Sequence, residues 1–374
     1  MKLSVYGCNI SYFTGKLEAY LRYRAIDYTN LPTVGNEKKL LAGAGVVQMP
    51  VVQLDDGRWM SDTTPMLAWL DGYYKTGSIY PTDPAMRMMA LLVEDYADEW
   101  LWRPAMHYRW SYRLGRVCAA EMIYSDLVEG NRALPRFLAV RLIMARQLFG
   151  FVKGDGVRAA SWAHIEATYV AALDRMQAIL QDRPFMLGDT PSIADYGLMG
   201  PMLRHFSQDA IPAEIMRARA PAVFEWVARM WQMQAADAPP NFIEKPDALF
   251  FALLREACET NLVQHAFNAQ AYSAGADRYD MKIQGCQYRK IPTSRYRVWC
   301  LEVLRREWAA LDAPVQDMLK ANLPEAACVL WDENNFAASA YDENGDAPFN
   351  RAINVYGNGV PGIFRLLYRR GFNG

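Results

Sequence analysis

The sequence lacks the cysteine and histidine patterns of metal and disulfide sites. Its six cysteines are scattered through 374 residues without a CxxC spacing, and its four histidines form neither HxxxH nor HExxH. Structural zinc sites need paired ligands at short spacings, and small secreted folds need a framework of cysteines. We therefore expect no metal centre and no disulfide framework, a pattern typical of a reducing cytoplasm.

An excess of charge and long apolar runs are missing as well. The 40 Lys and Arg are interspersed with 41 Asp and Glu, which gives a net charge of −1. Surfaces for nucleic acid or anionic lipid need a basic excess. No window of about 18 uncharged apolar residues predicts a membrane span, and the first ten residues hold too short an apolar run for a signal peptide. We expect a cytoplasmic location, with neither nucleic acid nor membrane as a partner.

The chain is long enough, and at 52% hydrophobic residues apolar enough, to bury a sizeable core in two or three domains. Proline-rich stretches at 81–84 and 239–240 mark the boundaries. We predict domains at 1–80, 85–237 and 238–374. Apolar periodicity predicts strand, helix, strand, then two strands and a helix in the first domain, long helices in the second, and a mostly helical third domain.

Residues 45–71 resemble a clamp for an extended peptide. The Met49–Pro50 step runs into an alternating strand, and the Asp-Gly pair at 56–57 predicts a hairpin. A cis Pro50 would leave the backbone of Met49 free to pair with a peptide. Asp62 and Thr63 precede an apolar helix, whose free N–H groups suit a carboxylate. An ordinary hairpin and helix is the alternative interpretation.

Four motifs in order make residues 1–235 resemble the glutathione transferase family. They are SYFTGKL at 11–17, QMPVV at 48–52, DTTPMLAWL at 62–70 and GDTPSIAD at 188–195. The resemblance implies an α+β chain: a thioredoxin-like N-terminal domain, an all-α C-terminal domain and, in this chain, an additional mostly helical subdomain. Two departures stand out, because Tyr12 replaces the usual proline and Asp62-Thr63 replaces Glu-Ser.

The resemblance implies that glutathione is the co-substrate and that no metal is needed. It also implies that Ser11 is the catalytic hydroxyl that stabilises the thiolate. The alternative role of Ser11 is that of a helix N-cap. The glutathione-binding residues would be Gln48, Met49, Pro50, Asp62 and Thr63, with Lys38 or Lys39 near the glycyl carboxylate. Cys8 and Tyr6 are rival groups for contact with the thiol.

The electrophile site is expected between the two domains, along the aromatic segment 94–112. The predicted pocket residues are Tyr12, Trp100, Arg103, His107 and Tyr108, and packing in a core is the alternative for this dense set. Pro104 is expected to kink this helix. Ser192 and Asp195 have the spacing of a capping box and are predicted to be structural.

The resemblance implies a transferase, or a glutathione-dependent lyase, that acts on a small hydrophobic, aromatic electrophile in detoxification, as a homodimer. Two alternatives stay open. One is a non-catalytic binding or assembly module with a vestigial clamp, and the other is a Cys8-dependent thiol reductase. The extension from residue 238 is too apolar for a disordered tail. We expect it to line one side of the substrate cleft or to replace the usual dimer contact.

Overall fold

The N-terminal part of the chain is a four-stranded sheet with helices on its faces. The computed structural model describes residues 1–74, 76–128, 135–236 and 239–340. The strands are β1 (Lys2–Tyr6), β2 (Asp27–Leu31), β3 (Val51–Gln53) and β4 (Trp59–Ser61), and the helices are α1 (Tyr12–Tyr23), α2 (Glu37–Ala44) and α3 (Thr63–Asp71). The strand order is β2-β1-β3-β4, with β1 parallel to β2 and antiparallel to β3. The predicted thioredoxin-like arrangement is confirmed.

Local sequence signals explain these elements. Ser11 and Asp62 cap α1 and α3, each accepting a hydrogen bond from a backbone N–H in the first turn. The β3–β4 hairpin turns at Gly57, whose φ of 91° favours glycine. Helix α2 was not predicted, because its Lys- and Gly-containing sequence offers only Leu40 and Ala44 as buried positions.

The second part is all helical, as predicted. Its helices are α4 (Pro84–Glu99), α5 (Trp102–Trp110), α6 (Arg113–Ile123), α7 (Arg136–Ala145), α8 (Ala159–Asp182), α9 (Ile193–Pro201), α10 (Ala210–Arg219) and α11 (Pro221–Gln232). The expected kink at Pro104 is a full break instead. Helix α4 ends at Glu99, so that Pro104 lies in the first turn of α5, where a missing N–H is tolerated.

Residues 239–340 of the extension are also mostly helical and include one hairpin. They contain α12 (Ala248–Ala257), α13 (Val263–Ser273), β5 (Arg278–Ile283), β6 (Cys286–Pro292), α14 (Arg295–Ala309), α15 (Ala313–Asn322) and a 3₁₀ turn (Glu325–Leu330). They pack on α4 and α8. Residues 341–374, which include most of a predicted loop at 334–347 and a predicted end segment at 360–370, lie outside the described residues. Within the described part, no helix has the length and apolarity to cross a membrane.

A buried ion cluster joins α1 to α4. Lys16 Nζ lies 2.5 Å from Glu94 Oε1 and 2.5 Å from Asp98 Oδ2, and it also donates to Thr64 on α3. The Lys16 side chain is fully buried. Burial opposes its charge, yet Asp98 and Glu94 together raise the pKa of Lys16 above its ordinary value. This desolvated cation is therefore one of the contacts that hold the first domain to the second.

A second set of α4 carboxylates joins α4 to the extension. Asp95 Oδ2 lies 2.7 Å from His265 Nε2, and Glu99 accepts from Arg297 at 2.9 Å. These two carboxylates are neighbours of Glu94 and Asp98 in sequence but face a different partner. Helix α4 therefore lies between the N-terminal domain and the extension, and binds both through buried charge.

We expect Lys16→Met to lower the free energy of unfolding by about 3–5 kcal/mol, because it leaves two buried carboxylates without a cation. Urea unfolding of the full chain measures the change. Lys282→Met, at an exposed position on β5, is the control and should change stability by less than about 0.5 kcal/mol. Equal effects of the two substitutions would contradict a structural role for the buried cluster.

Candidate functional site

The strand register brings the predicted clamp residues to one end of the sheet. Tyr6 at the end of β1 pairs with Val51 at the start of β3, and Val51 also pairs with Ser61 at the end of β4. Three segments therefore meet at the same end of the sheet: the loop after β1, the segment before β3 and the turn after β4. These three segments carry Ser11; Gln48, Met49 and Pro50; and Asp62 and Thr63, respectively.

Ser11 is the N-cap of α1 and is half-buried. Its Oγ accepts a hydrogen bond from the Thr14 backbone N–H at 3.3 Å. A serine hydroxyl has one donor hydrogen and two acceptor lone pairs, so this bond leaves the hydrogen to donate. The capping role is therefore compatible with donation to an anion at the helix N-terminus, where the helix dipole also favours negative charge.

Asp62 holds an unusual backbone conformation, with φ 73° and ψ 120°. Its Oδ1 accepts from the Thr64 backbone N–H at 3.2 Å, which caps α3. Non-glycine residues with positive φ are uncommon and cluster at binding and catalytic sites. Burial raises the pKa of Asp62 to about 7, against the opposing effects of the Tyr296 hydroxyl and Lys16. Asp62 is thus poised between its charged and neutral forms at neutral pH.

The segment before β3 has the form that the sequence left open. The Met49–Pro50 peptide bond is cis, Gln48 and Met49 are half-buried, and Pro50 is buried. Lys39, on α2, donates from Nζ to the Tyr6 hydroxyl at 2.7 Å. The Tyr6 hydroxyl is therefore hydrogen-bonded to α2, which makes Tyr6 a weaker candidate for contact with the thiol.

Cys8 lies on the same loop as Ser11 but is poorly suited to thiolate chemistry. Burial raises the pKa of the Cys8 thiol to about 11, and the Asp126 carboxylate adds to the rise. Reactive cysteines have lowered pKa values, because the thiolate is the nucleophile. This electrostatic environment does not favour the Cys8-dependent reductase.

The aromatic residues predicted to line the electrophile pocket are buried. Tyr12 donates to the Ala97 carbonyl at 2.5 Å and packs against Trp102, and Trp100 packs against Tyr288 of the extension. Tyr12 and Trp100 each expose 2% or less of their surface. Their packing agrees with the alternative that the aromatic density forms a core, and their role as pocket residues stays a prediction.

The three other predicted pocket residues are equally enclosed. Arg103 donates to the carboxylate and the backbone carbonyl of Asp155 at 3.0 and 3.1 Å. His107 lies between Glu166 and Ser111, and burial lowers its pKa, so that it is neutral at pH 7. Tyr108 is buried as well. Contact of any of the three with a substrate stays a prediction.

Ser192 and Asp195 are buried at the start of α9. The Ser192 backbone N–H and hydroxyl both donate to Asp195 Oδ2, at 2.9 and 2.8 Å. Asp195 Oδ1 accepts from Met186 N and Trp226 Nε1. This reciprocal capping lies in the helical part, away from the sheet end that carries Ser11 and Asp62.

Sequence reasoning missed two residues of the sheet end. Lys16 belongs to the first motif, and the only signal for its importance was a lysine at a position where the helix period requires a buried side chain. Tyr296 lies more than 230 residues from Asp62, and its hydroxyl donates a hydrogen bond to that carboxylate. No local pattern could have indicated this contact, because it depends on how the extension folds back.

Two family models match the chain. The model described as glutathione S-transferase, N-terminal domain, matches residues 5–77. The model described as glutathione S-transferase, C-terminal domain, matches residues 159–229. No functionally curated protein matches the chain in sequence.

Solved structures give weaker likenesses. A glutathione S-transferase from Pseudomonas fluorescens is 18% identical, over 61% of this chain and 93% of that one, with a TM-score of 0.34. One from Methylobacterium radiotolerans, in complex with glutathione sulfonate, is 15% identical over 65% and 100%, with a TM-score of 0.37. A β-etherase from Sphingobium is 15% identical over 62% and 95%, with a TM-score of 0.43. These likenesses are too low to support an argument about function.

We expect Cys8 to react slowly with iodoacetamide at pH 7.5, because a thiol with a pKa near 11 is almost entirely protonated there. Peptide mass mapping over time measures the rate at each cysteine. Cys118, which is exposed, is the internal control and should be labelled roughly tenfold faster or more, because the reagent reaches an exposed thiol freely. Labelling of Cys8 as fast as Cys118 would restore the reductase hypothesis.

Proposed function

The chain belongs to the glutathione S-transferase superfamily, through the domains matched at residues 5–77 and 159–229, and from this premise we propose that it activates the glutathione thiol for attack on a hydrophobic electrophile. The observation that carries the proposal is the convergence of Ser11, Met49 and Asp62 at one end of the sheet. The reaction is a conjugation, or a lyase-type cleavage of an activated ether.

Ser11 stabilises the thiolate in this proposal. A free thiol has a pKa of roughly 8.5, and only its thiolate attacks electrophiles well. Lowering that pKa by about two units requires roughly 2.7 kcal/mol. One hydrogen bond to the anion, together with the N-terminus of α1, supplies an energy of this size. The proton leaves to solvent, so no general base is required.

The tripeptide backbone pairs with Met49, whose side chain can vary because the contact is through the main chain. Gln48 contacts the glycyl end of glutathione. The γ-glutamyl carboxylate lies at the N-terminus of α3, beside Thr63, and Asp62 accepts from the γ-glutamyl ammonium. The positive φ of Asp62 supports this assignment, because such a conformation persists where a site requires it.

A second place that we propose for the electrophile, beside the predicted pocket in the aromatic segment, is the α6–α7 hairpin. The Asn9 backbone N–H donates to Asp126, which follows α6, at 3.1 Å, so this hairpin touches the loop that carries Ser11. The hairpin helices expose several large apolar side chains, namely Leu114, Val117, Met122, Phe137 and Leu138. Such a cluster suits an apolar substrate.

A binding or assembly module without catalysis is the second candidate. The extension favours this candidate. It packs against Trp100 and adds a charged contact to α4, and it thereby encloses part of the aromatic segment that would otherwise line a cleft. A module binds glutathione without changing the ionisation of its thiol, whereas the enzyme lowers the thiol pKa.

We expect bound glutathione to show a thiol pKa about two units below that of the free peptide, and Ser11→Ala to abolish most of that shift, because the hydroxyl no longer donates to the sulfur. Ultraviolet absorbance of the thiolate, followed against pH in the complex, measures it. Binding with an unchanged thiol pKa in the wild-type protein would reject the enzyme and favour the module.

Two controls separate catalysis from helix capping. Ser11→Ala also removes a cap worth about 1 kcal/mol, whereas Ser11→Gly loses only a few tenths. If the hydroxyl lowers the thiol pKa, both Ser11→Ala and Ser11→Gly should lose the shift in that pKa. If the helix cap is responsible, only Ser11→Ala should lose it. Ser207→Ala, which removes a hydroxyl that donates to the Leu203 carbonyl in the helical part, should leave the shift unchanged.

A further inference from the structure

The end of α5 carries a serine and a histidine that are hydrogen-bonded in line with a glutamate. His107 Nδ1 lies 3.0 Å from Ser111 Oγ, and His107 Nε2 lies 2.9 Å from Glu166 Oε1 on α8. Ser111 and His107 are four residues apart, so their side chains are neighbours on the helix surface. A hydroxyl within hydrogen-bond reach of a base, which a third group orients, is the arrangement by which enzymes activate a nucleophile.

The hydrogen bonds define the tautomer of His107. The Tyr112 hydroxyl also donates to Glu166 Oε1, at 2.5 Å. Burial opposes the charge of Glu166, yet the hydrogen bonds from Tyr112 and His107 lower its pKa, so that Glu166 is an anion and can only accept. Burial lowers the pKa of His107, so the ring is neutral at pH 7 and its one proton is on Nε2. Nδ1 is therefore the acceptor, and Ser111 donates its hydroxyl hydrogen to it, as a nucleophile does to its general base.

The serine of this triad meets solvent, whereas its base does not. Ser111 is half-buried, and the His107 side chain exposes none of its surface. Hydrogen bonds in such a water-poor place are stronger than in water. A ligand can thus reach the serine while the imidazole stays fixed between its two partners.

Backbone donors follow Ser111 directly, at the start of α6. The N–H groups of residues 112–114 have no hydrogen-bond acceptor among the described residues. Gly115 allows α6 to begin this close to α5, because a Cβ there would lie 2.7 Å from the Arg109 carbonyl oxygen. N–H groups beside a nucleophile stabilise the oxygen anion that forms when it attacks a carbonyl. They complement the hydrogen-bonded serine and histidine, which carry the inference.

A buried arginine fixes the end of α5. Arg109, two residues before Ser111, donates to Asp209 at 2.8 Å and to the Ile10 carbonyl at 2.7 Å. Its side chain is 5% exposed. Catalytic groups need a rigid support of this kind, because small displacements of the nucleophile are costly to the rate.

We propose that Ser111, His107 and Glu166 form a second catalytic site, which hydrolyses small apolar esters without glutathione. Ser111 is the nucleophile, and His107 is its general base. Glu166 is a positioning residue, since it acts through His107. This activity goes beyond the proposed transferase function and does not depend on it.

The reaction has two steps. In the first, Ser111 Oγ attacks the ester carbonyl carbon and its proton passes to His107 Nδ1; the bond to the alcohol oxygen then breaks, and that oxygen takes the proton. In the second, water attacks the acyl carbon of the acyl-serine and gives a proton to His107, which returns it to Ser111 Oγ as the acid leaves. The sum is one ester and one water converted to one alcohol and one acid.

The surroundings of the triad define the class of ester. The Trp162 ring centroid lies 5.1 Å from that of His107, and Trp162 is 37% exposed. Leu114, three residues after Ser111, is 56% exposed. Exposed apolar side chains on both sides of a nucleophile suit an aryl ester of a short apolar acid.

The test uses the full chain without glutathione and two reagents. An alkyl fluorophosphonate phosphonylates activated serines, and peptide mass mapping identifies the labelled residue; 4-nitrophenyl butyrate measures turnover. We expect the label on Ser111 in the wild type. Ser207 is the matched internal control, because it is also half-buried and its hydroxyl also bonds four residues back, but to the Leu203 carbonyl, which is not a base. Ser207 should stay unlabelled.

Substitutions assign the roles. Ser111→Ala and His107→Gln should each lower the rate of ester hydrolysis by about 10²- to 10⁴-fold, the range for acid–base catalysis. Glu166→Gln should lower the maximal rate roughly tenfold or more and leave the half-saturating ester concentration unchanged, because Glu166 does not touch the ester. Ser207→Ala should keep the wild-type rate. Thermal unfolding of each variant verifies that it is folded, and the label on the wild type needs no variant.

Four results would overturn the proposal: a wild type that takes no label, a label on another serine in place of Ser111, equal labelling of Ser111 and Ser207, or ester hydrolysis that survives Ser111→Ala. A Glu166→Gln variant with an unchanged maximal rate contradicts the role of Glu166. Since glutathione is absent from the assay, failure of this site leaves the thiol pKa of bound glutathione, and with it the proposed transferase function, to be judged separately.

Discussion

Helix α4 is the element on which much of the structure depends, because its three buried carboxylates and the half-buried carboxylate of Glu99 take partners from outside the helix. Glu94 and Asp98 take theirs from Lys16 of the sheet domain, whereas Asp95 and Glu99 take theirs from His265 and Arg297 of the extension. A buried charge without a partner costs several kcal/mol, so neither neighbour can leave α4 without a penalty. Helix α4 therefore contributes to the relative positions of all three parts.

The same constraint gives the proposed site its character. The turn after β4 places Asp62 near Lys16 and near Glu94 of α4, which have opposite effects on the pKa of Asp62. In the proposed function, the sheet domain contributes the hydroxyl that activates the thiol and the backbone edge that pairs with the peptide.

Much of the fold could be predicted from the sequence, because strands β1 and β3 and helices α1 and α3 have strong local signals of alternation, capping and turns. The cis Met49–Pro50 bond could be stated only as a condition, since a sequence does not show the isomer. The sequence of the aromatic segment 94–112 allowed either a pocket or a packed core, and most of its side chains are buried. A sequence segment rich in aromatic residues is found both in protein cores and in substrate clefts. Only the packing of β6 and α14 distinguishes the two. The contact of Tyr296 with Asp62 is a long-range tertiary contact that no sequence window contains.

The division of the α4 charges also has an evolutionary consequence. Because the extension covers Asp95 and Glu99, these carboxylates need His265, Asn261 and Arg297 as partners, so a change on one side of this contact favours a change on the other. In a homologue that ends after α11, the same positions would face solvent or another subunit and would be free to change. The pairing of acidic residues on α4 with basic ones on α13 and α14 is thus a covariation signature by which chains of this architecture can be recognised.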